Sequence, residues 1–132
     1  MNIIILDDDV FFGNLVKNFL INQDYQSVQL FHVEEECLQN IGSAPTLLIL
    51  DHHLAKSTGL DVMAKLKTRN SQTKVIYLSG QEYMHIAIKA LRSGAVDYIE
   101  KNRNSFFQLK LLIDKIILED KNSLPYSAGA AS

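Results

Sequence analysis

Two kinds of segment alternate along the chain. Short apolar runs rich in β-branched residues and leucine span residues 2–6, 28–31, 46–50, 74–78 and 96–99. The longer stretches that follow them carry apolar residues at every third or fourth position, which is typical of amphipathic helices. Most of the short runs lack a strict alternation of apolar and polar residues. They therefore predict strands that are buried on both faces, as in a parallel sheet.

The helical stretches complete the prediction of the fold class. They fall at about 11–20, 33–41, 60–66, 84–91 and 106–117. Asp9 precedes the first helix and is predicted to be its N-cap, and Gly94 follows the fourth helix as its C-cap. A fivefold alternation of strand and helix predicts an α/β protein. Its doubly wound, five-stranded parallel sheet would lie between two layers of helices joined by right-handed crossovers.

Composition narrows the range of functions. The chain has 132 residues, one cysteine and a net charge of −2. This length predicts one domain, residues 1–121, and a small polar stretch at 122–132 that we interpret as a disordered tail, a linker stump or an expression remnant. The N-terminus lacks a basic region, and no apolar run reaches the about 20 residues that cross a bilayer. We predict a cytoplasmic protein that binds neither membranes nor nucleic acid directly.

Charged and polar residues collect at the predicted strand ends, where doubly wound sheets bind ligands. Asp7 and Asp8 follow the first strand, Asp51 follows the third, Ser79 follows the fourth, and Lys101 lies at the end of the fifth. Two like charges about 4 Å apart cost on the order of 4 kcal/mol at an effective dielectric constant near 20, so these aspartates require a cation. Mg²⁺ suits one or two carboxylates together with water and phosphate oxygens.

The same residues predict phosphoryl chemistry. A divalent cation, the ammonium group of Lys101 and the hydroxyl of Ser79 together match the equatorial oxygens of a phosphoryl group. Asp51 is then the natural nucleophile, because carboxylate side chains can form aspartyl phosphates.

Four motifs carry a family resemblance: IIILDDD, LLILD with Gly59 eight residues after Asp51, VIYLSG, and AIKALRSGAVDYIEK. In this order and spacing, residues 1 to about 120 resemble the receiver domain of two-component response regulators. The resemblance implies a flavodoxin-like sheet with strand order 2-1-3-4-5. It also implies a phosphorelay function, in which a phosphoryl group passes from a kinase phosphohistidine to Asp51 and switches an output surface.

The resemblance implies a role for each matching site residue. Asp51 would be the phosphoacceptor and a ligand of Mg²⁺. Asp8 would bind Mg²⁺ directly, Asp7 would bind it through a water molecule, and the backbone carbonyl of His53 would complete the ligands from the protein.

The remaining implied roles concern the phosphoryl group and its partners. Lys101 and Ser79 would each hold a phosphoryl oxygen, and Tyr98 would turn inward as Ser79 is drawn to that group. The implied partners are a sensor histidine kinase or histidine phosphotransfer protein, and an output domain or protein. The fourth helix, fifth strand and fifth helix would carry the output and could pair two copies of the chain. Such a domain is not an enzyme for an outside substrate, although it catalyses its own phosphorylation and slow autodephosphorylation.

Three positions depart from the family pattern. Ala55 and Asn102 stand where the family commonly has proline, and Thr58 stands where it usually has aspartate. A cis peptide without proline costs roughly 3 kcal/mol, so we predict a trans and more mobile loop at Asn102. The cognate kinase, the output and the effect of these departures on the phosphorylation rate stay open.

A haloacid-dehalogenase-like phosphatase is the main alternative. The string Asp7-Asp8-Asp9-Val10 fits the first motif of that family, with Asp7 as the nucleophile, and Lys101 fits a later one. The absence of a separate acidic pair after Lys101 and the short length count against it. A second alternative is a pseudo-receiver that only binds partners, but the acidic set is intact.

Several residues have a plainer interpretation. Neighbouring residues at a strand end point to opposite sides, so His52 and His53 are not expected to bind one ion through both rings. His32 and His85 are predicted to be solvated surface residues. Cys37 is predicted to be a buried, small apolar residue.

Overall fold

The computed structural model describes residues 1–80 and 84–122. The ordered elements alternate as predicted, and their bounds in chain order are β1 (Asn2–Leu6), α1 (Val10–Asn22), β2 (Val28–Phe31), α2 (Glu34–Gln39), β3 (Thr46–Leu50), α3 (Gly59–Arg69), β4 (Lys74–Ser79), α4 (Met84–Arg92), β5 (Asp97–Glu100) and α5 (Ser105–Asn122). The predicted tail falls almost entirely outside the described residues, although α5 includes Asn122.

The strands form one parallel sheet in the order β2-β1-β3-β4-β5. This confirms the predicted fold class and strand order. The register pairs Leu6 with Leu50, so β1 and β3 end at the same level. It also pairs Ser79 with Glu100 at the end of β4 and β5. All the strand ends that matter for the site therefore lie at one edge of the sheet.

The sheet is buried on both faces, because alternate side chains enter two separate cores. One core lies between the sheet and α2, α3 and α4, and it includes Leu6, Leu50 and Tyr77. The other lies between the sheet and α1 and α5, and it includes Ile5, Ile49 and Leu78. This three-layer arrangement explains why the strand sequences lack polar alternation. None of the described helices is long and apolar enough to cross a membrane.

Local signals at the helix ends behave as predicted. The Asp9 side chain accepts a hydrogen bond from the Phe12 amide at 3.0 Å, which makes Asp9 the N-cap of α1. Gly94 has a φ of 107° and ends α4 in a Schellman motif, in which the Ala95 amide donates to the Ala90 carbonyl. Cys37 is buried, as expected.

Most element bounds differ from the predicted ones by one or two residues, but α3 and α5 extend three and five residues beyond their predicted ends. β4 includes Ser79 and β5 ends at Glu100, whereas the apolar runs stop earlier. Polar side chains at a strand end do not interrupt backbone pairing, so the apolar pattern alone cannot detect them. α2 is shorter than predicted, with six residues.

Candidate functional site

Backbone pairing continues past the strands and carries the site residues to one edge. The Asp51 amide donates to the Leu6 carbonyl at 3.0 Å, and the Lys101 amide donates to the Ser79 carbonyl at 2.8 Å. These bonds fix the backbone from which the Asp51 and Lys101 side chains leave the sheet. The ends of β1, β3 and β5 thus converge without any flexible loop between strand and functional residue.

Three carboxylates lie close together at this edge. Each of Asp7, Asp8 and Asp51 offers an oxygen, and these oxygens all lie within 4.8 Å of one another. Asp7 and Asp51 are buried, whereas Asp8 is exposed. A set of hard oxygen donors, with one open side for water or a phosphate oxygen, fits the preferences of Mg²⁺.

Lys101 supplies the fixed cation of the site. Its Nζ lies 2.8 Å from Asp7 Oδ2 and 3.4 Å from Asp51 Oδ1. It also lies 4.5 Å from the centroid of the Phe12 ring, which covers it from the α1 side. Burial by itself would lower the Lys101 pKa, but the hydrogen bond and charge of Asp7, with the charge of Asp51, outweigh burial and raise it.

The environment of Asp51 disfavours its charged form. Burial, followed by the negative charge of Asp7, raises the pKa of Asp51 to about 7, although Lys101 and the His52 amide act in the opposite direction. The two carboxylates and one ammonium group leave a local excess of negative charge. A bound divalent cation would remove that excess, so the site is electrostatically prepared for one.

Ser79 and Tyr98 meet at the same end of the sheet, on the face opposite to Asp51 and Lys101. Ser79 is fully buried at the end of β4. Burial raises the pKa of Tyr98, while a hydrogen bond with the Ser79 side chain lowers it in part. The Tyr98 ring stacks on the Tyr77 ring with centroids 5.5 Å apart. The two predicted switch residues therefore interact with each other in this structure.

The loop after β3, residues 52–58, carries His53, whose backbone carbonyl is the predicted fourth ligand. His53 pairs with Thr58 in an isolated bridge, and the Gly59 amide donates to the His52 carbonyl at 2.8 Å. The Leu54 amide also donates to the Ser57 carbonyl at 3.1 Å. These bonds give the loop a defined shape, while the role of the His53 carbonyl stays a prediction.

The departures from the family pattern have local structural explanations at two of the three positions. Thr58 is the N-cap of α3 and forms a capping box with Asp61. The Asn102 side-chain oxygen accepts a hydrogen bond from the Asn104 amide at 2.8 Å, and the Asn102 backbone carbonyl accepts one from the Ser105 hydroxyl at 2.7 Å. No cis peptide occurs in the described residues, so the Lys101–Asn102 peptide, whose isomer the sequence left open, is trans. The greater mobility of this loop stays a prediction.

A polar clamp joins the 52–58 loop to the neighbouring helices. The Ser57 hydroxyl donates to Glu34 Oε1 at 2.6 Å, and Lys65 forms an ion pair with the same carboxylate. Burial would raise the Glu34 pKa, but the hydrogen bonds from Lys65 and Ser57 outweigh it and lower that pKa. Glu34 therefore links α2, α3 and the loop that carries His53.

Ser57→Ala is expected to lower the free energy of unfolding by about 1 kcal/mol and to weaken Mg²⁺ binding a few-fold, because the loop loses its tie to Glu34. The folded-state pKa of Glu34 is depressed, so the ionised Glu34 side chain contributes to the free energy of unfolding at neutral pH. This contribution is lost as the pH falls through that pKa. The stability difference should therefore shrink in acid. Urea unfolding at pH 7 and pH 3, with calorimetric Mg²⁺ titration, measures both effects.

Ser71→Ala is the matched control, since Ser71 is exposed at the other end of the sheet. Equal Mg²⁺ affinity in the wild type and Ser57→Ala would contradict a positioning role for the clamp.

Sequence reasoning missed some contacts of the site. His32 is not a solvated surface residue as predicted. It is half-buried, and its Nδ1 lies 2.8 Å from the Asp7 carbonyl oxygen, because β2 ends beside β1. His52 is buried and its Nδ1 lies 2.6 Å from the Tyr77 hydroxyl. The His52 and His53 rings do not point to opposite sides as expected, because they meet edge to face with centroids 4.8 Å apart. His85 is exposed as predicted.

The fold and site define the class of protein, and comparison with known proteins agrees. The family described as "Response regulator receiver domain" matches residues 3–113, so the chain belongs to that family. The response regulator TodT of Pseudomonas putida is 35% identical over 100 residues, which are 75% of this chain and 44% of TodT. The chain is thus a receiver domain of the two-component type, and it spans less than half the length of the curated relative.

Solved receiver structures show the same fold. The receiver domain of NtrX from Brucella abortus is 28% identical, covers 86% of this chain and 96% of its own, and superimposes with a TM-score of 0.78. The response regulator TrrA from Thermotoga maritima, solved in complex with Mg²⁺ and beryllofluoride, is 26% identical with a TM-score of 0.74 over 87% of this chain and 98% of that one. These similarities favour the receiver function over the phosphatase alternative.

Proposed function

We propose that Asp51 is the phosphoacceptor of this receiver domain and that Asp7, Asp8 and Asp51 form its Mg²⁺ site. The observation that carries the proposal is the placement of the Asp51 carboxylate. It is 6% exposed, lies 3.4 Å from the Lys101 ammonium, and shares the sheet edge with two further aspartates. A buried carboxylate beside a fixed cation at a strand end suits in-line attack on a phosphorus atom.

The proposed reaction follows from these positions. The donor is a phosphohistidine of a sensor kinase or a histidine phosphotransfer protein. An Asp51 carboxylate oxygen attacks phosphorus, the P–N bond breaks, and its electron pair leaves with the donor imidazole. Lys101 already lies close to Asp51, so its ammonium can donate to a phosphoryl oxygen as negative charge gathers there. Autodephosphorylation would be slow attack of water on the same phosphorus atom.

A bound Mg²⁺ would be held by Asp8, Asp51, the His53 carbonyl and, through water, Asp7, and it would neutralise charge on the phosphoryl oxygens. The three carboxylates supply the hard donors that this ion requires. The switch would then operate through Ser79. Drawing its hydroxyl toward the new phosphoryl group changes its hydrogen bond with Tyr98, and the equilibrium between two forms of the output face shifts.

The proposed output face has the composition of a partner surface. The exposed apolar residues on α4 and just before β5 are Met84, Ile88, Leu91 and Val96, and α5 adds Phe107, Leu111 and Leu118. Exposed apolar side chains on these elements favour a protein partner, either an output domain or a second copy of the chain. The cytoplasmic location predicted from the sequence stays a prediction.

The test is to identify the phosphorylated carboxylate. The protein is incubated with Mg²⁺ and a small donor such as phosphoramidate or acetyl phosphate, and the modified aspartate is located by borohydride trapping and mass spectrometry. Label on Asp51 supports the receiver mechanism. Label on Asp7, with multiple turnover of a phosphomonoester, would instead establish the phosphatase alternative.

Mg²⁺ is expected to stabilise the fold. Saturating Mg²⁺ at about 100 times its dissociation constant adds roughly 2.7 kcal/mol to the free energy of unfolding if the ion binds only the folded state. Asp8→Asn should remove most of this increment, because Asp8 is a proposed direct ligand of the ion, and its exposed position leaves the core unchanged. Urea unfolding with and without MgCl₂ at matched ionic strength measures the increment. No increment at 20 mM would favour the pseudo-receiver alternative.

A further inference from the structure

Tyr77 is a buried polar residue to which the mechanism above gives no role. It lies in β4 two residues before Ser79, so both side chains point to the same face of the sheet. It is fully buried, with a relative exposure of 0%. Its hydroxyl lies 2.6 Å from His52 Nδ1. The hydroxyl can donate to the His52 ring when Nδ1 carries no proton.

His52 connects this hydroxyl to the phosphoacceptor. Adjacent residues at a strand end point to opposite faces, so Asp51 faces Lys101 while His52 faces Tyr77. The hydrogen bond therefore holds the backbone at residues 51–53 from the face opposite the carboxylate cluster. That short segment contains both the phosphoacceptor and the predicted carbonyl ligand.

The Tyr77 ring contacts Tyr98, one of the two predicted switch residues. Tyr77 and Tyr98 are paired in the register of β4 and β5, and their rings stack at a centroid distance of 5.5 Å and an interplanar angle of 17°. Tyr98 in turn shares a hydrogen bond with Ser79. One side chain thus contacts the acceptor segment through its hydroxyl and the switch through its ring.

Packing alone does not account for the hydroxyl. A phenylalanine would fill the same core and stack on Tyr98 in the same way. The hydroxyl instead crowds α3, since a Cβ added to Gly59 would lie 2.6 Å from it. The hydroxyl is accommodated only because residue 59 has no side chain, so the local structure is built around it.

We propose that Tyr77 is a positioning residue for phosphorylation, which holds the 51–53 segment through His52 and sets the orientation of Tyr98 through ring stacking. The proposal rests on Asp51 being the phosphoacceptor. Its structural part concerns the metal-free protein and is tested separately.

Tyr77→Phe keeps the ring and removes the hydroxyl. It is expected to lower the rate of phosphorylation by a small donor about tenfold at saturating Mg²⁺, because a misplaced acceptor loses alignment with the phosphorus atom. It should also speed amide hydrogen exchange at residues 52–54 in the metal-free protein. The Tyr98 ring resonances should keep their stacked chemical shifts, since the ring of residue 77 is retained. Tyr77→Leu, which removes the ring, should shift those resonances.

Tyr25→Phe is the matched control. The Tyr25 hydroxyl donates to Asp114 between the α1–β2 loop and α5, away from the site. This variant loses one tyrosine hydrogen bond as Tyr77→Phe does, yet its phosphorylation rate should equal that of the wild type. A wild-type rate and unchanged 52–54 exchange in Tyr77→Phe would overturn the proposal and leave Tyr77 as a core residue.

His52 provides a second test that does not alter the core tyrosine. His52→Leu should slow phosphorylation as Tyr77→Phe does, and the double variant should be no slower than either, because both remove one hydrogen bond. His52→Asn offers an acceptor oxygen near the Nδ1 position and should restore much of the rate. Additive losses, or no rescue by Asn, would contradict the link. If the wild type takes no phosphoryl group at Asp51, the proposed function fails, while the hydrogen-exchange and Tyr98 results still decide the structural part.

Discussion

Asp51→Asn is expected to abolish phosphoryl uptake and, at the same time, to make the metal-free protein more stable. Uptake is lost because an amide cannot form the aspartyl phosphate. Stability rises because the buried carboxylate is disfavoured in the fold: burial and the charge of Asp7 raise the pKa of Asp51 to about 7 from 3.8. Asn removes that charge, and Lys101 keeps its closer partner, Asp7, at 2.8 Å.

The pH dependence of this gain has a definite sign. A carboxyl with a raised pKa in the folded state binds a proton more tightly there than in the unfolded chain, so stability falls as the pH rises between the two pKa values. Asp51→Asn lacks this loss. The variant should match the wild type near pH 4 and exceed it by on the order of 1–2 kcal/mol above pH 7, without Mg²⁺.

Asp24→Asn is the control for the removal of a negative charge. Asp24 is exposed and has a φ of 65°, a conformation that asparagine also adopts readily. Urea unfolding at pH 4 and pH 8, with mass spectrometry after incubation with a phosphoryl donor, gives both readouts. Phosphate on the Asp51→Asn protein would contradict the assignment of Asp51 as phosphoacceptor, and a lower stability than the wild type at pH 8 would contradict the destabilising effect of its charge.

Gly59→Ala is expected to destabilise the protein by about 3 kcal/mol or more, the range of severe overpacking. An added Cβ would lie 2.6 Å from the Asp51 carbonyl oxygen and 2.6 Å from the Tyr77 hydroxyl. The first contact is with backbone and the second is with a side chain held by His52, so neither neighbour can easily move. The strain falls on the acceptor segment, and Mg²⁺ affinity should drop as well.

Gly42→Ala is the matched control, because a Cβ at Gly42 meets no heavy atom within 4 Å. Its stability should stay within about 0.5 kcal/mol of the wild type, as for most exposed substitutions. Tyr77→Phe in the Gly59→Ala background should recover part of the loss, since it removes one of the two closest contacts. Urea unfolding of the four proteins measures this. A Gly59→Ala protein as stable as Gly42→Ala would show that the close approach does not exist in solution.

Much of the fold could be predicted because the residues within each strand or helix indicate how that element is buried. Strand β3 is apolar after Thr46 and is buried at every position, so its pattern has only one reasonable interpretation. The Asp9 cap and the Gly94 helix end are likewise signals within a few residues of sequence. Strand order was predicted only through the family resemblance, since the sequence of an apolar run does not indicate which strands pair with it.

The candidate site was likewise predicted in part. Asp7, Asp8, Asp51 and Lys101 were predicted to meet because parallel strands end at one edge, and the structure brings them together. The environment of His32 was predicted wrongly, because its contact with the Asp7 carbonyl links residues 25 positions apart.

The alternation of strands and helices, their caps and the carboxylates at the strand ends could therefore be predicted from the sequence, because these features depend on the period and chemistry of neighbouring residues. The bond between the Tyr77 hydroxyl and His52, the bond between Ser57 and Glu34, and the close packing at Gly59 could be found only in the folded protein. Those contacts depend on ångström-scale distances between elements far apart in the chain, and no local pattern of apolar and polar residues encodes such distances.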